Sequence, residues 1–246
     1  MAEALSGKAL PRPEPSAGVE EYEWERAACL SLDPRRRENW DRYRASDGMS
    51  ATVDYLPVKL DIENVGWCNF KNVIDEHCGL VEIALDETAL SVGDECFEFI
   101  RYARSKRIWV RMDTNASLLN VRNNYRKLID SGVNEIDISV DGADKATFEA
   151  IVVGSKFERV VANCKLLNDY ARSRNVRRTR MWTMVREQNH RRLDEHVILA
   201  MDLGFRHLVF NLIAWRDTIN GARLWSLVDQ GARAGVRVSF LFAKDE

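Results

Sequence analysis

The stretch LIDSGVNEIDISVDG, Leu128 to Gly142, decides how this chain is built. Its first half ends a helical pattern at Gly132, a residue that closes helices because it accepts a left-handed backbone. Its second half alternates. In an extended strand Ile136, Ile138 and Val140 share one face, while Glu135, Asp137, Ser139 and Asp141 share the other. A parallel sheet covered by helices on both sides is expected to have near-continuous apolar strands. A strand with one charged face fits better in a curved sheet, with helices outside and a polar interior.

The same grammar runs outward in both directions. Strand patterns occupy VKLDIEN (58–64), LVEIAL (80–85), IWVRMDT (108–114), NEIDISV (134–140), RTRMWTMV (178–185), HLVFNLI (207–213) and VRVSFLF (236–242). Helical patterns fall between them, at DECFEFIRYARSK, VRNNYRKLIDSG, KFERVVANCKLLNDYARSRN, RRLDEHVILAMDLG and ARLWSLVDQGARAG. Alternating units of this kind imply right-handed crossovers and a parallel sheet. The expected fold is therefore α/β: a partial (β/α) TIM-like barrel over residues 51–246, with parallel strands and helices outside.

Residues 1–50 read differently. Pro11, Pro13 and Pro15 with small neighbours suggest a flexible tail up to residue 18, and two short helical patterns broken at Asp33-Pro34 suggest a helical extension. Trp24, Trp40 and Tyr43 are suited to docking this arm on the barrel, and Arg35, Arg36 and Arg37 leave open an RNA-binding arm.

Composition narrows the function. A net charge of −2 supplies no global field toward nucleic acid or anionic lipid. No apolar stretch approaches the roughly 18 residues of a membrane helix, and the start lacks a secretion signal, so a cytoplasmic protein is expected. Five scattered cysteines argue against a disulfide framework and leave reduced thiols or metal ligands. The strand faces carry Asp61, Glu63, Asp113 and Asp137, a possible acid-base set, opposed by Lys59, Arg111 and Arg180 on the same faces.

In barrels of this type the chemistry sits where the strands end. Those ends read IENVGWCNF, DTNASLL, ISVDG and VREQN, and with LIDSGVNEIDISVDG and GSKFERVVANCKLLNDY they resemble the radical S-adenosylmethionine superfamily over about residues 55–215. The resemblance implies a [4Fe-4S] cluster, S-adenosylmethionine, an electron donor and 5′-deoxyadenosyl radical chemistry on an unnamed small-molecule or peptide substrate. By the same resemblance Cys68 is a cluster ligand, Glu87 lies near the cofactor's amino group, and Asn115, Ser139, Asp141 and Asn189 surround ribose and substrate. For Ser139 and Asp141, ordinary turn chemistry at a strand end is an equal alternative.

Departures from the family pattern are as informative. The superfamily holds its cluster with C-x3-C-x2-C, and after Cys68 this chain has Asn72 and Asp75 at the next two positions. Neither is a soft thiolate. Cys78 falls at the end of the helix after the first strand, some 12 Å from Cys68 by helical rise, and His77 with Cys78 matches no usual zinc spacing. The Gly-Gly-Glu-Pro turn, whose backbone binds the cofactor's amino group, is replaced around Glu87 by Asp86 and Thr88, and an Ile-Arg-x-Gly phrase by Ile151, Val152, Val153 and Gly154. These losses predict a degenerate, weakly active or inactive member, or a non-catalytic binding scaffold on the same barrel. Nucleic acid and membrane are not expected partners. The short first helix predicts a thinly covered sector of the outer layer that the N-terminal arm fills.

Overall fold

The computed structural model describes residues 9–50, 52–62, 74–75, 79–91, 93–212 and 219–242. Seven strands form one parallel sheet in sequence order. They are β1 (Lys59–Ile62), β2 (Glu82–Leu85), β3 (Trp109–Thr114), β4 (Glu135–Ser139), β5 (Thr179–Met184), β6 (His207–Asn211) and β7 (Arg237–Leu241). Each lies inside a stretch whose side-chain alternation marks a strand. Among the described residues the helices are α1 (Val19–Ser31), α2 (Pro34–Ala45), α3 (Thr88–Ser91), α4 (Asp94–Ser105), α5 (Asn124–Asp130), α6 (Lys145–Ile151), α7 (Phe157–Ser173), α8 (Leu193–Asp202) and α9 (Gly221–Ala234). The architecture is a partial (β/α) barrel with a helical N-terminal extension. Helix α6 is absent from the sequence reading; Asp144 starts it by accepting the Thr147 N–H at 3.1 Å.

The chain divides into two compact units. One comprises Ala17–Asp113 and Arg126–Ile136. Within it, α4 buries Cys96, Phe97, Phe99, Ile100 and Ala103 along one stripe, the pattern expected of a helix lying on a sheet. The extension is anchored by polar contacts as much as by apolar ones. Asp33 caps α2 with Pro34 behind it; from the buried side of α2, Arg36 donates to the carbonyls of Cys29 (3.2 Å) and Lys106 (3.3 Å). Asn39 brackets Leu56, donating to its carbonyl at 3.1 Å and accepting its N–H at 2.6 Å. Tyr22 donates to Glu82 at 3.1 Å and sets its ring edge-on to Trp109 at 4.9 Å. The arm thus reaches the polar face of β2 and β3 and the turns that lead into them, rather than patching only the outer layer.

That polar face carries paired charges. Lys59 lies 3.9 Å from Asp61 and 3.4 Å from Glu82; Arg111 lies 3.1 Å from Asp113 and 3.9 Å from both Asp61 and Glu82. An acid-base site needs a carboxylate able to change protonation near a substrate, and these already serve neighbouring cations.

The second unit comprises the segment up to Ser16, Thr114–Tyr125 and Asp137 onward. Ile138, Val140, Met181, Leu208, Phe210, Val238 and Phe240 are buried on the helix-facing side of its strands. Helix α8 packs on β6, and α9 packs on both α8 and β7. A Cβ on Gly231 of α9 would lie 2.5 Å from the Val236 carbonyl oxygen, so glycine sets how closely helix and strand approach. The opposite face is again polar and closed: Arg180 grips Asp137 through two bonds of 2.5 and 2.7 Å, and both side chains are buried. Residues 9–16, expected to be a tail, run along β7, where the Phe240 N–H donates to the Pro11 carbonyl at 2.8 Å.

Candidate functional site

The sequence-derived residues converge best where β4 and β5 end. The Val140 N–H donates to the Trp182 carbonyl at 2.9 Å, the last rung before the two strands part. One residue on, Asp141 takes over with its side chain: Oδ1 accepts the Met184 N–H at 2.8 Å. Asn189 locks both ends. Its Nδ2 donates to the carbonyls of Asp141 and Met184, each at 2.8 Å, and its Oδ1 accepts the Arg186 N–H at 2.8 Å. Two donors and one acceptor are thereby used, and Asn189 has no exposed surface. It shapes the loop from within and presents nothing to a ligand.

Asp141 is buried, and burial raises its carboxyl above the ordinary range, with the Met184 N–H and the Arg186 guanidinium acting in the opposite sense. Arg186 Nε stands 3.8 Å from Oδ2. Gly142 follows because nothing larger fits: a Cβ there would lie 2.3 Å from the Phe148 nitrogen. Behind the loop, His196 is fully buried, with Nδ1 3.2 Å from the Arg192 carbonyl and its pKa lowered by desolvation. Arg192 also reaches Asp144 at 2.6 Å, tying α8 to the start of α6. Arg186, Asp144 and Arg192 were not among the residues picked from sequence; Asp144 alone left a signal, an acid three positions before Thr147.

The other expected residues are placed individually. Ser139 is exposed at the end of β4. Asn115 is exposed on the turn after β3, where its Oδ1 accepts the Ser117 N–H at 2.9 Å; the Asn163 side chain holds that turn by donating to the Ala116 carbonyl at 2.7 Å. Glu87, in the other unit, is half-buried in the turn between β2 and α3. Cys68, the proposed cluster ligand, lies outside the described residues, as do Glu63, Asn72, His77 and Cys78.

The described residues do not fit the cluster that the resemblance implies. Asp75, where the family pattern would place its third cysteine, accepts from the Tyr102 hydroxyl and lies 3.7 Å from Lys106, both on or beside α4. Among the described residues no three His, Cys, Asp or Glu side chains are grouped to hold a metal. Cys29, Cys96 and Cys164 are buried in helices; desolvation raises all three thiols, the last two to about 12, the opposite of what a thiolate ligand needs. The turn after β2 is also self-contained. Asp86 Oδ1 accepts the Thr88 N–H at 2.9 Å, and the carbonyls of Asp86 and Glu87 accept from Ala89 (3.2 Å) and Leu90 (2.9 Å). Its backbone is spent on starting α3. Where the arginine of the Ile-Arg-x-Gly phrase would stand, half-buried Val152 closes α6, its N–H donating to the Phe148 carbonyl at 2.8 Å.

No protein-family model matches the sequence, and no curated protein matches it. Solved structures do resemble the fold. A crystal structure of Streptococcus suis SuiB superposes with a TM-score of 0.58 at 13% identity, covering 77% of this chain and 50% of that one. SuiB bound to S-adenosylmethionine gives 0.57 at 12% identity, covering 77% and 51%, and SuiB bound to the precursor peptide SuiA gives 0.57 at 12%, covering 77% and 49%. This chain spans about half the length of SuiB. At such identity the likeness establishes the fold. No described helix is long and apolar enough to cross a membrane.

Proposed function

We propose that this chain is a degenerate member of the radical S-adenosylmethionine superfamily that keeps the barrel as a binding scaffold without its redox centre. The observation that carries the reading is a conjunction. The fold superposes on SuiB, which has been solved with S-adenosylmethionine bound, while Asn72 and Asp75 stand where two of three cluster cysteines belong. A cluster iron needs a thiolate, and one cysteine leaves the cubane without its grip. The self-capped turn after β2 supports the same reading, because the backbone groups meant for the cofactor's amino end are already bonded.

In this proposal Ser139 and Asp141 are the groups that meet a ligand, with Asn115 at the neighbouring strand end. Asn189 holds Asp141 in place, and Glu87 and Cys68 are remnants of the ancestral site. Anaerobic reconstitution with iron and sulfide tests it. Retention of no iron, with no 5′-deoxyadenosine released on reduction in the presence of S-adenosylmethionine, is the expected outcome. About four irons per chain together with 5′-deoxyadenosine would overturn it.

A further inference from the structure

The contact between residues 10–15, LPRPEP, and β7 has the form of a bound peptide rather than of ordinary chain packing. The segment runs opposite to β7: Pro11 faces Phe240 near the strand's end, and Glu14 faces Arg237 at its start. Recognition has two parts. The first is backbone pairing at a sheet edge, where the Phe240 N–H donates to the Pro11 carbonyl at 2.8 Å. The second is a pair of guanidinium groups that read the acidic end. Arg237 donates to the Glu14 carboxylate at 2.8 Å and to the Pro15 carbonyl at 3.3 Å, and buried Arg180 donates to the Glu14 carbonyl at 3.0 Å.

The charge balance explains why an acid is wanted there. Asp137 neutralises Arg180, and the adjoining His207 accepts from Arg237 at 3.4 Å while its Nε2 faces Ser239, so the ring is neutral. Arg237 is left seeking an anion. Proline suits the other requirement: it is pre-set to an extended backbone and has no N–H to leave unpaired. Pro11, Pro13 and Pro15 are half-buried while Arg12 and Glu14 point outward.

The attachment is weak by its own chemistry. Among the described residues one main-chain hydrogen bond ties the segment to the strand, and the Arg237–Glu14 pair is about half exposed, a class worth at most about fivefold in affinity. Tethering, which gives an effective concentration of order millimolar, is enough to hold such a ligand in place. At Gly18, just before α1, the backbone takes φ +101°, a conformation that favours glycine.

We propose that the outer edge of β7, with Arg237 and Arg180, is a binding site for extended, proline-containing acidic peptides, and that residues 10–15 fill it in cis as a displaceable strap. This is independent of the superfamily reading, since none of these groups belongs to the strand-end site. The test uses the full chain and a fluorescent peptide of residues 9–17, ALPRPEPSA, followed by anisotropy. Glu14→Lys sets like charge against Arg237 and weakens the cis occupant, so this variant takes up the peptide about tenfold or more tighter than the parent chain. Adding Arg237→Ala abolishes the gain. Glu14→Gln gives the same ordering with a smaller step and serves if Glu14→Lys does not fold. Equal affinity of parent and Glu14 variants, or indifference to Arg237→Ala, overturns the proposal.

Discussion

His207 makes the stability of this protein depend on pH in a calculable way. Its Nε2 donates to Ser239 Oγ at 2.7 Å and its Nδ1 accepts from Arg237, so a second ring proton would displace a partner. Burial first, then Arg237 and Arg180, depress its pKa from 6.5 to about 3. The sign follows from comparing the two states. As pH falls below about 6.5 the unfolded chain takes up a proton that the folded chain refuses until about pH 3, so stability is full at neutral pH and drains away across that window. At pH 5 the unfolded state gains RT ln(1 + 10^1.5), about 2 kcal/mol, and by pH 3 the loss reaches about 4 kcal/mol. Urea unfolding of the parent chain and of His207→Gln, at pH 7 and pH 5, isolates the effect. Glutamine keeps a neutral donor for Ser239, and the carboxylates that titrate nearby are common to both proteins. The parent should lose about 2 kcal/mol more than the variant between the two pH values. Equal losses would refute the argument that a neutral His207 is built into the fold.

Gly142→Ala would place a methyl group against the Phe148 backbone, and a loss of about 3 kcal/mol by chemical denaturation is expected. Asp141→Ala strands the Met184 N–H and should cost about 1–3 kcal/mol, while Asp141→Asn keeps an acceptor, drops a buried charge and should stay within about 1 kcal/mol of the parent at pH 7. If Asp141 did no more than fill space, the two variants would be equivalent. Tyr22→Phe removes only the hydroxyl that meets Glu82 and should cost about 0.5–1.5 kcal/mol; no change in the unfolding midpoint would mean that the Tyr22–Glu82 bond adds nothing to the hold on the arm.

The strands were legible because several carry a two-residue period with a charged face, and that face is real: Asp137, Glu82 and Arg180 sit where the alternation puts them. Helix α6 was not legible. Its sequence, KATFEAI, is short and weakly patterned, and it forms because Asp144 caps it and Phe148 has Gly142 to pack against. The candidate site was half legible. Sequence placed Asp141 and Asn189 together at strand ends, yet it could not say that their bonds run to each other's loop, because alternation fixes the face of a residue and not the partner of its side chain. The pairing of Lys59 and Arg111 with the interior carboxylates was readable, since opposite charges shared those faces. The bond from Pro11 to Phe240 was not, because a proline-rich stretch looks the same whether it wanders or lies on a strand.

That bond also orders events in time. A ribosome emits residue 11 long before residue 240, so the acidic, proline-rich stretch must wait through the synthesis of every strand before its seat exists. Until then the arginines that will receive it are unmade and the stretch is open to any other taker. The rim of β7, once made, is at risk of sticking to a neighbouring molecule until the stretch settles, so closing the long loop from residue 11 to residue 240 is what covers that edge.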